Sequence, residues 1–106
     1  MIKVNIKPLS VNCAWQGKRF KTPAYKTYEK AVLLMLPKRI ELPEPPFALK
    51  LEFGFSSKLA DIDNGVKPFV DILQKKYGIN DKDIYHLQVL KTIVKKGEEF
   101  VKFKIE

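Results

Sequence analysis

At 106 residues, 45% hydrophobic and 30% charged, the chain has the size and composition of one folded domain, residues 1–106, and is too apolar for a disordered polymer. Twenty Lys+Arg against 12 Asp+Glu leave a net charge of +8, the electrostatic footprint of a polyanion partner. Cys13 is the only cysteine, which excludes an internal disulfide and a Cys-based zinc site, and no apolar run is long enough to span a membrane.

Eighteen of the twenty cations are Lys; Arg19 and Arg39 are the only guanidinium groups. Arg is the common reader of guanine edges, whereas Lys mostly supplies charge against phosphate, so the balance favours backbone contacts over base reading. The first residues, "MIKVNIKPLS", lack the apolar block of a secretory signal, and the cysteine usage suits a reducing, cytoplasmic setting.

In chain order, "MIKVNIK" alternates Ile2, Val4 and Ile6 with polar residues, the pattern of a half-buried strand. "PLSVNCAWQGKRFK" reads as a loop carrying Trp15, Phe20 and the cations Lys18, Arg19 and Lys21. A helix follows in "TPAYKTYEKAVLLML", with Thr22 as N-cap and Pro23 at its first position. Ala24, Tyr28, Ala31, Val32 and Met35 fall on one stripe of it. Four of the seven prolines lie in "PKRIELPEPP", an ordered connector rather than a domain boundary, because neither flank suffices to fold alone.

"FALKLEFGFSS" is the clearest strand, with Phe47, Leu49, Leu51, Phe53 and Phe55 on one face. "VKPFVDILQKKYG" places Val66, Phe69, Val70, Leu73 and Tyr77 on one helical face and stops at Gly78. "DIYHLQVLKTIV" and "EFVKFKIE" read as two strands joined by "KKGE" into a hairpin. The expectation is an α+β fold, a small mixed or antiparallel sheet of about four strands with two helices in the order β-α-β-α-β-β.

Chemistry concentrates in "DIDNGVKPFVDIL". If the chain is still extended at Asp61 and Asp63, both carboxylates project from one face. Two carboxylates about 4 Å apart repel by roughly 4 kcal/mol at an effective dielectric near 20, a cost that a divalent cation reverses. Mg²⁺ takes oxygen ligands and is usually held by one or two carboxylates plus substrate phosphate. Lys67 stands in the first turn of the helix, where the dipole disfavours a cation by roughly 0.3–1 kcal/mol. It is placed either to steady a phosphate oxygen or to pair with Asp71 at i, i+4. Plainer readings exist for the acids too: Asp and Asn before a helix are common caps, and "IND" ahead of a strand suits an Asx turn at Asp81.

"DIDNGVKPFVDIL", then "GINDKDI" and a strand, resembles the core of the RusA family of Holliday junction resolvases: D-x-D-N-x-x-K, a helix, a glycine, and an Asp just before a strand. The likeness is specific over residues 58–84. It implies that Asp61, Asp63 and Asp81 are catalytic and hold Mg²⁺ (or Mn²⁺), that Lys67 is the essential lysine, and that Asn64 is the motif asparagine. Asn12, in "LSVNCAWQGKRFKT", corresponds to a Ser/Pro-Asn element in the family's N-terminal segment. Of the basic residues that the family often places ahead of its motif, Lys58 alone stands here.

The resemblance implies a homodimeric endodeoxyribonuclease of a bacterial or phage-infected cell that nicks four-way junctions symmetrically in recombination and repair. Lys18, Arg19, Lys21 and Lys58 are then expected against the DNA backbone, and Trp15 or Phe20 against unstacked bases, with core packing the alternative for both rings. His86 has no companion ligand and Cys13 no catalytic partner. The rival readings are a nucleic-acid-binding α+β module without chemistry, or a nuclease for other branched DNA.

Overall fold

A computed structural model describes residues 1–9, 15–16 and 20–106, with Trp15, Gln16 and Phe20 as backbone. Its elements are β1 (Ile2–Val4), β2 (Trp15–Gln16), β3 (Phe20–Lys21), α1 (Pro23–Met35), β4 (Phe47–Phe55), α2 (Val66–Tyr77), a 3₁₀ turn (Asp81–Asp83), β5 (Ile84–Ile93) and β6 (Phe100–Ile105). Four strands make one mixed sheet in the order β1-β6-β4-β5. This is the expected α+β architecture, with one addition: the segment read as a loop folds back on itself, pairing Trp15 with Lys21 and Gln16 with Phe20.

The expected hairpin between the last two strands does not form. β5 runs parallel to β4, whereas β6 lies antiparallel on β4's opposite edge, between β4 and β1. The "KKGE" turn does reverse the chain, with Glu98 N–H donating to the Lys95 carbonyl. Val94 N–H, however, donates to the carbonyl of Phe55, so the link passes over the end of β4. Period-2 alternation identifies a strand but not its neighbour. A parallel pair needs a crossover, and α2 supplies it.

Alternation in β4 aims Phe47, Leu49, Leu51, Phe53 and Phe55 into the core, as expected, and Val101, Phe103 and Ile105 of β6 join them. Phe69 of α2 meets Phe53 edge-on, with ring centroids 6.5 Å apart, and lies 5.6 Å from Phe103. The buried stripe of α1 is rotated from the expected one. Tyr25, Tyr28 and Val32, with Leu36 just beyond the helix, face inward, while Ala24 and Met35 are exposed. Thr22 Oγ1 accepts from Tyr25 N–H at the N-terminus, and the Tyr25 side chain is buried. Ile40 packs against the same core, so the proline-rich connector is part of the fold.

Among the described residues, no helix covers the other face of the sheet. Lys3, Lys50, Lys102 and Lys104 project from it, with Glu52 between them by register. Phe100 lies on that side with the ammonium groups of Lys3 and Lys102 at 4.9 and 5.1 Å from its ring. The sheet therefore has an apolar, helix-covered side and a cationic, open side.

Candidate active site at the start of helix α2

Residues 61–65 are not extended. Two overlapping turns carry the chain from the loop after β4 into α2: Asn64 N–H donates to the Asp61 carbonyl and Val66 N–H to the Asp63 carbonyl, each at 3.1 Å. The premise that Asp61 and Asp63 share a face because the strand continues is thus corrected, although both carboxylates remain exposed within one tight segment. Neither caps the helix. The N-cap is Gly65, and no side chain bonds to the free N–H groups there. A glycine is needed at that point because a Cβ would approach the Phe53 ring to 2.9 Å, so the motif's turn rests directly on the core.

Lys67 and Pro68 occupy the first turn of α2, as expected. The Lys67 ammonium lies 3.5 Å from Asp71 Oδ2, the i, i+4 pair anticipated as one of its two roles, and its side chain is 61% exposed. Such a pair contributes at most about 0.5 kcal/mol, so Lys67 is held loosely and another anion in reach can compete for it. At the far end of α2, Gly78 caps the helix with φ +70°, which only glycine adopts without strain. Asn80 Oδ1 then accepts from Lys82 N–H, so the Asx turn expected in "IND" forms, made by Asn80 rather than Asp81.

Asp81 begins the 3₁₀ turn and is tied back to the helix, its N–H donating to Gln74 Oε1 at 3.2 Å. Gln74 Nε2 in turn donates to Asp71 Oδ1 at 3.3 Å. Lys67, Asp71 and Asp81 consequently line one groove of about 320 Å³, floored by Leu49, Val66, Val70, Ile84 and Leu87. The two ends of the motif, fourteen residues apart in sequence, meet because α2 folds back across β4 and β5.

Asp61 and Asp63 are not among the residues that line this groove. Among the described residues, no three of His, Cys, Asp and Glu gather closely enough to hold a metal ion, so the expected convergence of Asp61, Asp63 and Asp81 on one ion is not present in this structure.

The loop before the motif is held by a residue that the sequence reading did not single out. Lys91 of β5 lies opposite Phe53 in the register and donates to the carbonyls of Lys58, at 3.0 Å, and Ala60. Its signal was present: it is the one cation in the alternating Leu87, Val89, Lys91, Ile93 face. Gln74, which links Asp71 to Asp81, was missed for a different reason, since a Gln within a helix carries no distinguishing pattern.

Among the expected DNA contacts, Lys58 is exposed in the loop after β4, and Asn64 lines an adjoining pocket with Lys7, Phe55, Ser57 and Glu99. Lys21 is engaged within the chain, 3.0 Å from Glu29 and 4.8 Å from the Tyr25 ring centre. Lys75 reaches the other Glu29 oxygen, also at 3.0 Å. Burial opposes ionisation of Glu29, but these two ammonium hydrogen bonds outweigh it and hold the carboxyl below its ordinary range. Asn12, Cys13, Lys18 and Arg19 lie outside the described residues, as do the side chains of Trp15 and Phe20. His86 is exposed on the open side of β5. No helix is long and apolar enough to cross a membrane among the described residues. No family profile and no curated protein matches the chain.

Proposed function

We propose that this chain is a structure-specific endodeoxyribonuclease that cuts four-way (Holliday) DNA junctions with Mg²⁺, or Mn²⁺ in its place, acting as a homodimer in the cytoplasm of a bacterial or phage-infected cell. The observation that carries the reading is the shared groove: Lys67 and Asp81, set at opposite ends of α2, border one cleft, and the turn bearing Asp61 and Asp63 leads directly into that helix. Resemblance of "DIDNGVKPFVDIL" and "GINDKDI" to the RusA family supports the same assignment, as does the charge of +8.

In this reading Asp61 and Asp63 hold Mg²⁺ together with the scissile phosphate. Bound there, the ion supplies the Lewis acidity that makes a nucleophile of water near neutral pH and screens charge on the phosphate. Lys67 exchanges Asp71 for a phosphate oxygen, a swap made easy by the weakness of the exposed pair. Asp81 lines the same groove as Lys67, its backbone N–H tied to Gln74, where its carboxylate would act on an ion held by Asp61 and Asp63 or on the attacking water. Lysines of the open sheet face and Lys58 neutralise the flanking backbone.

The test is cleavage of a labelled four-way junction beside a matched linear duplex, with Mg²⁺ and with EDTA. Paired nicks in the junction with Mg²⁺ alone are expected, and junction affinity should fall by orders of magnitude from low to physiological salt as counterion release is lost. Equal cutting of both substrates, or none, contradicts the reading. Junction binding without cutting is the outcome that the alternative of a non-catalytic binding module predicts. The Lys67–Asp71 pair and the separation of Asp81 from the other two acids favour that second reading.

A further inference from the structure

We infer that β5 is the subunit interface, its outer edge pairing antiparallel with the same strand of a second copy to make one continuous eight-stranded sheet. The homodimer itself belongs to the function proposed above; the surface rests on separate observations. β5 is ten residues long and ends the sheet, and among the described residues no strand pairs with its outer side. The opposite edge, β1, has three residues.

Long edge strands are usually protected by charge, proline, shortness or a bulge. β5 has no acid, no proline and a single lysine, and that lysine is turned inward onto the carbonyls of Lys58 and Ala60. Its one irregularity is at the start, where the register steps from Ile84 to His86, leaving His86–Ile93 regular. Instead of protection the strand shows apolar side chains: Tyr85, Leu87 and Leu90 are 78, 49 and 53% exposed, and Ile93 joins them.

Charge selects the occupant. Two molecules of +8 repel over most of their surface, and this strip, whose one lysine is bonded to carbonyls of its own chain, is where like copies can meet at least electrostatic cost. A polyanion has no attraction to it and is served by the lysines of the open face. Geometry fits a second copy as well. A two-fold axis normal to the sheet reverses the strand while keeping each face on its own side. Helices α1 and α2 of both copies then lie on one side, and the two sets of Lys3, Lys50, Lys102 and Lys104 merge on the other. Ile84 and Leu87 belong both to this edge and to the groove of Lys67, Asp71 and Asp81, so pairing brings two such grooves onto one face of the joined sheet, on either side of the dyad.

The experiment combines sedimentation equilibrium with hydrogen exchange over a range of protein concentrations. The expected mass is twice 12.3 kDa. Outward-facing amides of β5 should exchange about tenfold or more slowly as concentration rises, as amides do when a partner closes an edge. Leu90→Lys, which stands beside Glu52 in its own sheet and so keeps the fold, should restore the single mass and abolish that concentration dependence. A single mass for the unmodified chain at every concentration overturns the inference. So does a double mass with protection confined to β1 or the helices, or one untouched by Leu90→Lys. None of these readouts involves DNA. A chain that pairs through β5 yet cuts nothing sinks only the nuclease reading, and one that cuts while pairing elsewhere sinks only this one.

Discussion

The two sides of helix α2 obey different constraints. Beneath it, Phe69, Ile72 and Leu73 are fully buried against Phe53 and Phe103, and every neighbour fixes every other. At its rim, Asp61, Asp63, Lys67 and Asp81 are all exposed; the Lys67 ammonium has a long ion pair with Asp71, and Asp81 is tied through its backbone, to Gln74 and Ile84. The contrast separates residues that specify the fold from residues that the fold merely presents. Exposed carboxylates gathered beside a loosely held lysine contribute little to stability, and a use outside the folding reaction is the reading that accounts for them.

Changes on the buried side should be felt first in stability. Phe69→Ala removes the ring at the centre of the aromatic contact and should destabilise the chain by about 3–5 kcal/mol, measured by denaturant unfolding. A loss under about 1 kcal/mol would mean that α2 is not anchored as described. Gly65→Ala tests the junction between the two sides, since its Cβ would press on Phe53 at 2.9 Å. A cost of about 1–3 kcal/mol is expected, together with a displaced Asp61–Asn64 turn and reduced cutting. Should that variant keep full stability and full activity, the turn is not seated on the core.

The smallest of these effects is electrostatic. Glu29→Gln weakens the link between Lys21 and Lys75 and should destabilise the chain by about 1 kcal/mol at neutral pH. Because the folded-state value of Glu29 is lowered, its contribution is complete above the ordinary carboxyl value of 4.5 and is lost as pH falls through the lower folded value. The gap between wild type and variant should therefore close on acidification. A gap constant with pH would show that the two hydrogen bonds do not depend on the charge.

Much of this division was legible beforehand. Alternation in "FALKLEFGF" and the 3.6-residue period of "VKPFVDILQKKYG" are set by burial, and burial governs the elements that formed. Strand order was not legible, because β5 and β6 carry the same local signal whether they pair with each other or flank β4. The phase of α1 escaped for a related reason: Tyr25 and Ala24 are both acceptable on a buried stripe, and the tertiary packing that buries Tyr25 is not visible in spacing. At the site, the residue types and an Asx turn within "IND" could be read from spacing, but not that Asn80 rather than Asp81 makes it. The turn at Asp61–Val66 and the Gln74 bridge depend on tertiary contacts that no spacing encodes.

The central claim is that the rim acids serve DNA cleavage rather than folding, and Asp63→Asn tests it most directly. Its unfolding free energy should stay within about 0.5 kcal/mol of wild type, as for most exposed substitutions. Junction binding should be kept or improved, since a charge repelling phosphate is gone, while the Mg²⁺-dependent nicking rate should fall about a hundredfold or more. Nicking of the four-way junction at close to the wild-type rate would contradict the account.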